Sequence, residues 1–160
     1  MSSYVRPRIP GATIFFTVSL ARRGSTLLVD EIDRLRSAVG LTRRQRPFGV
    51  DAWVVLPDHM HCIWTLPDGD ADFSKRWGAI KSRFSRGLAP VHQRPSNRMR
   101  RESGIWQRRF WEHHIRGPRD FAAHLEFCRT SPVESGLVAR PEDWSYSSFY
   151  RSPALSRTAP

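Results

Sequence analysis

Two histidines separated by a single residue carry the clearest chemical signal in the sequence. His59 and His61 follow a Leu-Pro-Asp turn at the start of a segment with strand character. Because side chains alternate across a strand, both imidazoles face the same way and Met60 faces the other. Such a pair can share one divalent cation that stabilises the charge of a bound phosphate. On spacing alone, two surface or hydrogen-bonded histidines without a metal are the more common arrangement.

The chain is strongly basic, with 26 Lys and Arg residues against 15 Asp and Glu among 160, a formal net charge of +11. Nucleic acid is the favoured partner, because each phosphate contact releases condensed counterions. No apolar run approaches the roughly 20 residues that a membrane helix needs, so no membrane partner is expected. Cys62 and Cys128 form no C-x-x-C pair and are typical of small buried residues in a reducing compartment, which predicts a cytoplasmic bacterial protein.

Hydrophobic periodicity predicts one α+β domain over residues 13–151, between a flexible basic arm (residues 1–12) and a disordered tail (residues 152–160). The expected strands cover residues 13–21, 50–56, 59–66 and 105–115, and the expected helices cover residues 28–39, 73–88 and 118–130, with Pro132 ending the last helix. Residues 89–104 form a basic loop. The order β-α-β-β-α-β plus a C-terminal helix is typical of a ferredoxin-like sandwich, an antiparallel sheet with helices packed on it.

Several long motifs occur in an order that resembles one known family. Residues 56–64 read LPDHMHCIW, residues 76–85 read RWGAIKSRFS, and residues 104–113 read GIWQRRFWEH. Residues 132–138 (PVESGLV) and 143–148 (DWSYSS) follow. These segments are similar to the matching motifs of the REP-associated tyrosine transposases, single-tyrosine members of the HUH nucleases. The resemblance covers residues 4–151, nearly the whole chain.

The resemblance implies a ferredoxin-like HUH transposase that acts as a metal-dependent endonuclease on single-stranded DNA hairpins, such as repeated extragenic palindromes. By the same resemblance, His59, His61 and a third polar ligand hold Mg or Mn weakly. A tyrosine on a late helix attacks the phosphate and forms a covalent link, splitting strand transfer into two steps. Related transposases are dimers or monomers, so a homodimer is possible but not decided.

The chain departs from the family motif Y-I-x-x-N-P, because residues 127–132 read FCRTSP. Phe127 occupies the position of the nucleophilic tyrosine, and Ser131 occupies that of the third metal ligand. The first change removes the nucleophile, because a phenyl ring has no hydroxyl. The second weakens the metal site, because a serine is a shorter and weaker ligand than an amide carbonyl. A catalytically inactive, domesticated DNA-binding relative is therefore the alternative to an active transposase. Replacement of the lost groups by His124, Tyr146 or Tyr150 is left open.

Basic and aromatic residues supply the candidate DNA contacts. Phosphate contacts are predicted for six residues, Arg6, Arg8, Arg76, Lys81, Arg108 and Arg109, and for the basic loop over residues 94–101. Trp106 and Trp111 are either core residues or platforms for unpaired bases, whereas the position of Trp77 on an apolar helix stripe favours the core. An RNA-binding ferredoxin-like domain is disfavoured, since no RNP-type aromatic motif is present.

Overall fold

A computed structural model of the protein describes residues 6–88 and 104–151. The strands are β1 (Thr13–Ser19), β2 (Gly49–Val55), β3 (His59–Thr65) and β4 (Trp111–His114). The helices are α1 (Leu27–Asp30), α2 (Ile32–Gln45), α3 (Phe73–Ser85) and α4 (Pro118–Glu134), followed by a 3-10 turn at Pro141–Asp143. None of the described helices is long and apolar enough to cross a membrane. The predicted tail, residues 1–5 of the predicted arm and most of the predicted basic loop lie outside the described residues.

The four strands form one antiparallel sheet in the order β2-β3-β1-β4. β2 and β3 form the predicted hairpin, and β1 and β4 complete the sheet on the far side of β3. This order, with α2 and α3 as the crossover helices, is the ferredoxin-like arrangement, so the predicted fold class is confirmed.

The main core fills the face of the sheet that α2 and α3 cover. Phe16 and Trp64 project from the sheet with ring centroids 4.8 Å apart, and Trp64 stacks on Trp77 of α3 at 4.4 Å. Trp77 is fully buried, which confirms it as a core residue. Met60 lies in the same cluster, so the two histidines that flank it in β3 point to the opposite face.

Helix α4 covers that opposite face. A smaller cluster there contains Phe15, Val54 and Ile63 from the sheet and Cys128 from α4. Cys62 and Cys128 are both buried free thiols, as the sequence predicted. The C-terminal helix therefore lies on the face of the sheet that presents His59 and His61.

The helix predicted over residues 28–39 is divided into α1 and α2, and α2 continues through Gly40 to Gln45. A single glycine inside a helix costs about 1 kcal/mol relative to alanine, so it does not have to end the helix.

Two further predicted boundaries are wrong. Helix α4 continues through Pro132 to Glu134, because the missing N–H of a proline in the last turn removes only one hydrogen bond there. The strand predicted over residues 105–115 is regular only from Trp111 to His114. Before it, Trp106 makes a single bridge to Leu20, and Ile105 packs into the main core. The apolar character of this segment thus reflects burial of an irregular stretch.

Candidate active site

The two histidines of β3 are held in fixed orientations by partners on one ring nitrogen. Their ring centroids are 4.9 Å apart with the rings nearly perpendicular. Nδ1 of His59 is hydrogen-bonded to Oδ1 of Asp58 at 2.7 Å, and Nδ1 of His61 is hydrogen-bonded to Oγ1 of Thr17 at 2.7 Å. A partner on Nδ1 is the usual way in which proteins orient a metal-binding imidazole. Nε2 of each ring is therefore the nitrogen suited to a cation.

The electrostatic setting favours neutral imidazole at His61. Burial, together with the nearby His59, lowers the pKa of His61 to about 3. Burial raises the pKa of Asp58, but hydrogen bonds from His59 and the Gly24 N–H outweigh it, and the pKa is lower than usual. A neutral imidazole with a carboxylate nearby is the form in which a histidine binds a divalent metal.

A small cleft of about 200 Å³ opens beside the pair. Its walls include both histidines, Thr17, Gln107 and Arg23. Arg23 is an exposed cation that the sequence prediction missed. The signal that could have found it is its place in the turn after β1, since β1 is the strand that pairs directly with the histidine strand.

Phe127 lies directly against the histidine pair. Its ring centroid is 4.8 Å from that of His61 and 5.8 Å from that of Phe15, and half of the residue is exposed at 50%. The structure thus brings together two positions that are 66 residues apart in the sequence. The phenyl ring carries no hydroxyl, so this side chain offers no nucleophile beside the pair.

Ser131 lies one turn further along α4 and is buried. Its hydroxyl donates a hydrogen bond of 2.5 Å to the carbonyl oxygen of Phe127, within its own helix. Such a bond to the preceding turn is a common arrangement for serine in helices, and it turns the hydroxyl away from other ligands. The residues present therefore fit a cation bound by the two imidazoles of His59 and His61. Ser131 does not supply a third protein ligand while its hydroxyl is bonded to its own helix.

The three residues considered as replacements occupy other places. His124 is separated from the histidine pair by Phe15, whose ring centroid is 5.8 Å from that of His61 and 4.9 Å from that of His124. Nδ1 of His124 contacts Asp120 of its own helix. Tyr146 packs on Trp144 and against the main core, on the opposite face of the sheet. Tyr150 borders a cleft beside the 3-10 turn.

Two of the predicted DNA-binding residues have structural roles. Arg76 is 2% exposed, and its guanidinium donates to Asp70 and to the carbonyls of Arg46, Pro47 and Asp72. Trp106 is 7% exposed, and its indole N–H donates to Oγ of Ser85 at 3.1 Å. Neither side chain is free to reach a phosphate or a base, because each is already enclosed by the fold.

The other predicted contacts differ in how far they are exposed. Arg6 pairs with Glu112 and lies over the Phe110 ring at 3.9 Å. Lys81 donates to the Gln107 carbonyl at 3.0 Å, and burial, with Arg6 nearby, lowers its pKa to about 8. The exposed residues are Arg8, Arg108, Arg109 and Trp111.

Trp111 is the most exposed large aromatic side chain among the described residues, at 65%. Thr17 pairs with His61 on one side and with Trp111 on the other. Residues paired directly across a sheet project to the same face, so Trp111 lies on the histidine face, two strands or about 10 Å from His61.

Comparison with known proteins gives a consistent set of relatives. A REP-associated tyrosine transposase of Escherichia coli (strain K12) is 46% identical over 154 residues, covering 96% of this chain and 86% of that protein. A homologue in Haemophilus influenzae (strain ATCC 51907 / DSM 11121 / KW20 / Rd), whose name gives the same family, is 44% identical over 154 residues, covering 94% and 87%. No family model matches the chain.

Solved structures give a similar result. The structure of a REP-associated tyrosine transposase bound to a REP hairpin has a TM-score of 0.81 and 45% identity, covering 98% of this chain and 87% of that one. A crystal structure from Deinococcus radiodurans R1 has a TM-score of 0.51 and 14% identity, covering 84% of this chain and 95% of that one, and this match concerns the fold alone.

Proposed function

Since this chain belongs to the REP-associated tyrosine transposases, we propose that it binds single-stranded DNA hairpins of the REP type, in the bacterial cytoplasm. The observation that carries this proposal is the likeness to the relative whose structure contains a REP hairpin, at 45% identity over 98% of this chain. The formal net charge of +11 supports it, because a polyanion gains counterion release from such a surface.

For the bound phosphate we propose a divalent cation, Mg or Mn, held by Nε2 of His59 and His61 and by oxygens of the DNA. When bound, such an ion would neutralise negative charge on the phosphate. With two protein ligands and no firm third one, the ion is expected to be held weakly without DNA. Asp58 and Thr17 keep the two rings in place for it.

We further propose that the chain has lost the covalent cleavage step of its family but still binds hairpin DNA. The side chain that lies against His61 is the phenyl ring of Phe127, which cannot attack phosphorus. The hydroxyl of Ser131 remains bonded to its own helix. An active nuclease would need a different nucleophile, and neither Tyr146 nor Tyr150 lies against the histidine pair.

Hairpin binding is expected to be structure-selective and salt-dependent. Labelled REP-type hairpin DNA should bind more tightly than an unstructured strand of the same composition, as measured by fluorescence anisotropy. Its affinity should fall steeply between about 50 mM and 200 mM salt, because several phosphates are contacted. Equal affinity for the hairpin, the unstructured strand and a duplex would contradict selective recognition and leave only non-specific electrostatic attraction.

Trp111 is expected to stack on an unpaired base beside the histidine pair. Trp111→Ala should weaken hairpin binding about 5- to 150-fold, since a base stacked on an aromatic ring gains about 1–3 kcal/mol. Trp111→Phe is the matched control and should keep most of the affinity, because a smaller ring still offers a face to the base. If the alanine variant binds as tightly as the unaltered protein, Trp111 makes no base contact.

A further inference from the structure

A second group of potential metal ligands lies where β4 meets α4. His113 belongs to β4, and Asp120 and His124 lie one turn apart on α4. One ligand atom from each of the three lies within 4.8 Å of the others. It is the one such group of three His, Cys, Asp or Glu residues within the described ranges 6–88 and 104–151. All three side chains are partly exposed, so an ion could reach them from solvent.

Both imidazoles contact the carboxylate of Asp120. Nε2 of His113 is 2.8 Å from Oδ2 of Asp120, and Nδ1 of His124 is 3.0 Å from Oδ1 of the same carboxylate. Nδ1 of His124 is also hydrogen-bonded to the backbone carbonyl oxygen of Asp120 at 2.9 Å. The two imidazole rings stack with centroids 4.5 Å apart and an interplanar angle of 16°. The backbone N–H of Arg116 donates to Asp120 at 2.8 Å. The arrangement is therefore fixed from both elements before any ion binds.

We propose that His113, Asp120 and His124 bind a transition-metal ion of the Zn²⁺ class. Two imidazole nitrogens and one carboxylate oxygen are a ligand set that Zn²⁺ uses, with a fourth position for water. Bond lengths of about 2.0–2.1 Å in a tetrahedral site separate neighbouring ligand atoms by about 3.3 Å. The two nitrogen–oxygen distances, 2.8 and 3.0 Å, need to open by a few tenths of an ångström, and the two nitrogens, which lie within 4.8 Å of each other, need to settle at that spacing. The imidazole protons that now face Asp120 leave as the ion enters, and His124 gives up its hydrogen bond to the Asp120 carbonyl. Mg²⁺ is disfavoured because it selects oxygen ligands.

This site is distinct from the pair on β3. The ring of Phe15 contacts both His61 and His124, and the two sets of nitrogen ligands do not merge into one group. An ion on His113, Asp120 and His124 would tie the edge strand β4 to α4. Phe127 follows His124 by three residues on the same helix, so the ion would stiffen the segment that faces His61.

Co²⁺ is the probe for this site, because it occupies Zn²⁺ sites and gives visible absorption bands that report tetrahedral coordination. Metal-free full-length protein titrated with Co²⁺ should develop these bands with one ion per chain, and Zn²⁺ should abolish them. The double variant His59→Ala, His61→Ala should keep the bands. His113→Gln and His124→Gln should each lose them, whereas His114→Gln, a control at the neighbouring position, should keep them.

Thermal unfolding of the metal-free proteins checks that each glutamine variant is folded, and Zn²⁺ should raise the Tm of the unaltered protein but not of these variants. Two results would overturn the proposal. One is the absence of Co²⁺ bands in the unaltered protein, which would leave a metal-free His-Asp-His cluster. The other is bands that vanish in the His59→Ala, His61→Ala variant and persist without His113 or His124. Because the readout needs no DNA, it is independent of hairpin binding.

Discussion

The double variant Phe127→Tyr, Ser131→Asn is expected to cleave REP-type hairpin DNA in the presence of Mn²⁺, whereas the unaltered protein leaves the strand intact. Position 127 lies against the His61 ring, so a tyrosine there would place a hydroxyl-bearing ring beside the histidine pair. In a serine protease, removing the nucleophile lowers kcat by about 10⁶-fold. Restoring a nucleophile here should therefore raise the rate of hairpin cleavage by several orders of magnitude. End-labelled DNA on denaturing gels measures both the cut strand and a covalent protein–DNA adduct.

Single variants separate the two changes. Phe127→Tyr alone should form less adduct than the double variant, because Ser131 still bonds to its own helix and gives the cation no firm third ligand. Ser131→Asn alone should form none, because it lacks the nucleophile. His61→Ala added to the double variant should abolish cleavage again. If the unaltered protein itself cuts the hairpin, another nucleophile or a metal-activated water is at work, and the proposed loss of the covalent step is wrong.

The histidine strand is the part of the site that the sequence predicted best. Alternation along β3 placed His59 and His61 on one face and Met60 on the other, and the structure has Met60 in the main core. The helical spacing of Phe127 and Ser131 predicted that they share a face of α4. The sequence alone does not predict the contact between Phe127 and His61. His61 lies on β3 and Phe127 on α4, and α3 and β4 come between them in the chain, so the contact depends on how the sheet is assembled.

The tryptophans and arginines were harder to place, because residue type does not fix burial outside a regular element. Trp106 and Trp111 are five residues apart in one segment, yet one is enclosed by α3 and the other is 65% exposed. The segment is irregular up to Trp111, so no periodicity of 2.0 or 3.6 residues assigns their faces. The sequence does not predict the cluster of His113, Asp120 and His124 either, because it forms only where β4 and α4 meet.

Arg76 is the predicted DNA-contacting residue that is most deeply enclosed by the fold. The carboxylate of Asp70 pairs with its guanidinium at 2.8 Å, and three backbone carbonyls accept its remaining N–H groups. The guanidinium of arginine has five donors in a rigid fork, so it can join the loop before α3 to the end of α2 in a way that lysine could not.

Arg76→Ala is expected to destabilise the fold by about 2–4 kcal/mol, because removing a buried guanidinium leaves its acceptors without their donors. In this protein those acceptors are the Asp70 carboxylate and the carbonyls of Arg46, Pro47 and Asp72. The Asp70 side chain is 34% exposed, so water offsets part of the loss at the carboxylate. Urea unfolding followed by circular dichroism measures the loss.

Lys75→Ala is the matched control for this prediction, because Lys75 is the preceding residue of the same helix. Its side chain is 68% exposed, and its ion pair with Asp72 spans 3.7 Å. An exposed pair of this kind contributes at most about 1 kcal/mol, so the unfolding midpoint should move little. If Arg76→Ala is as mild as Lys75→Ala, the Arg76 network does not hold α2 and α3 together. In that case, hairpin binding by the Arg76→Ala variant measures whether Arg76 contacts DNA, as the sequence predicted.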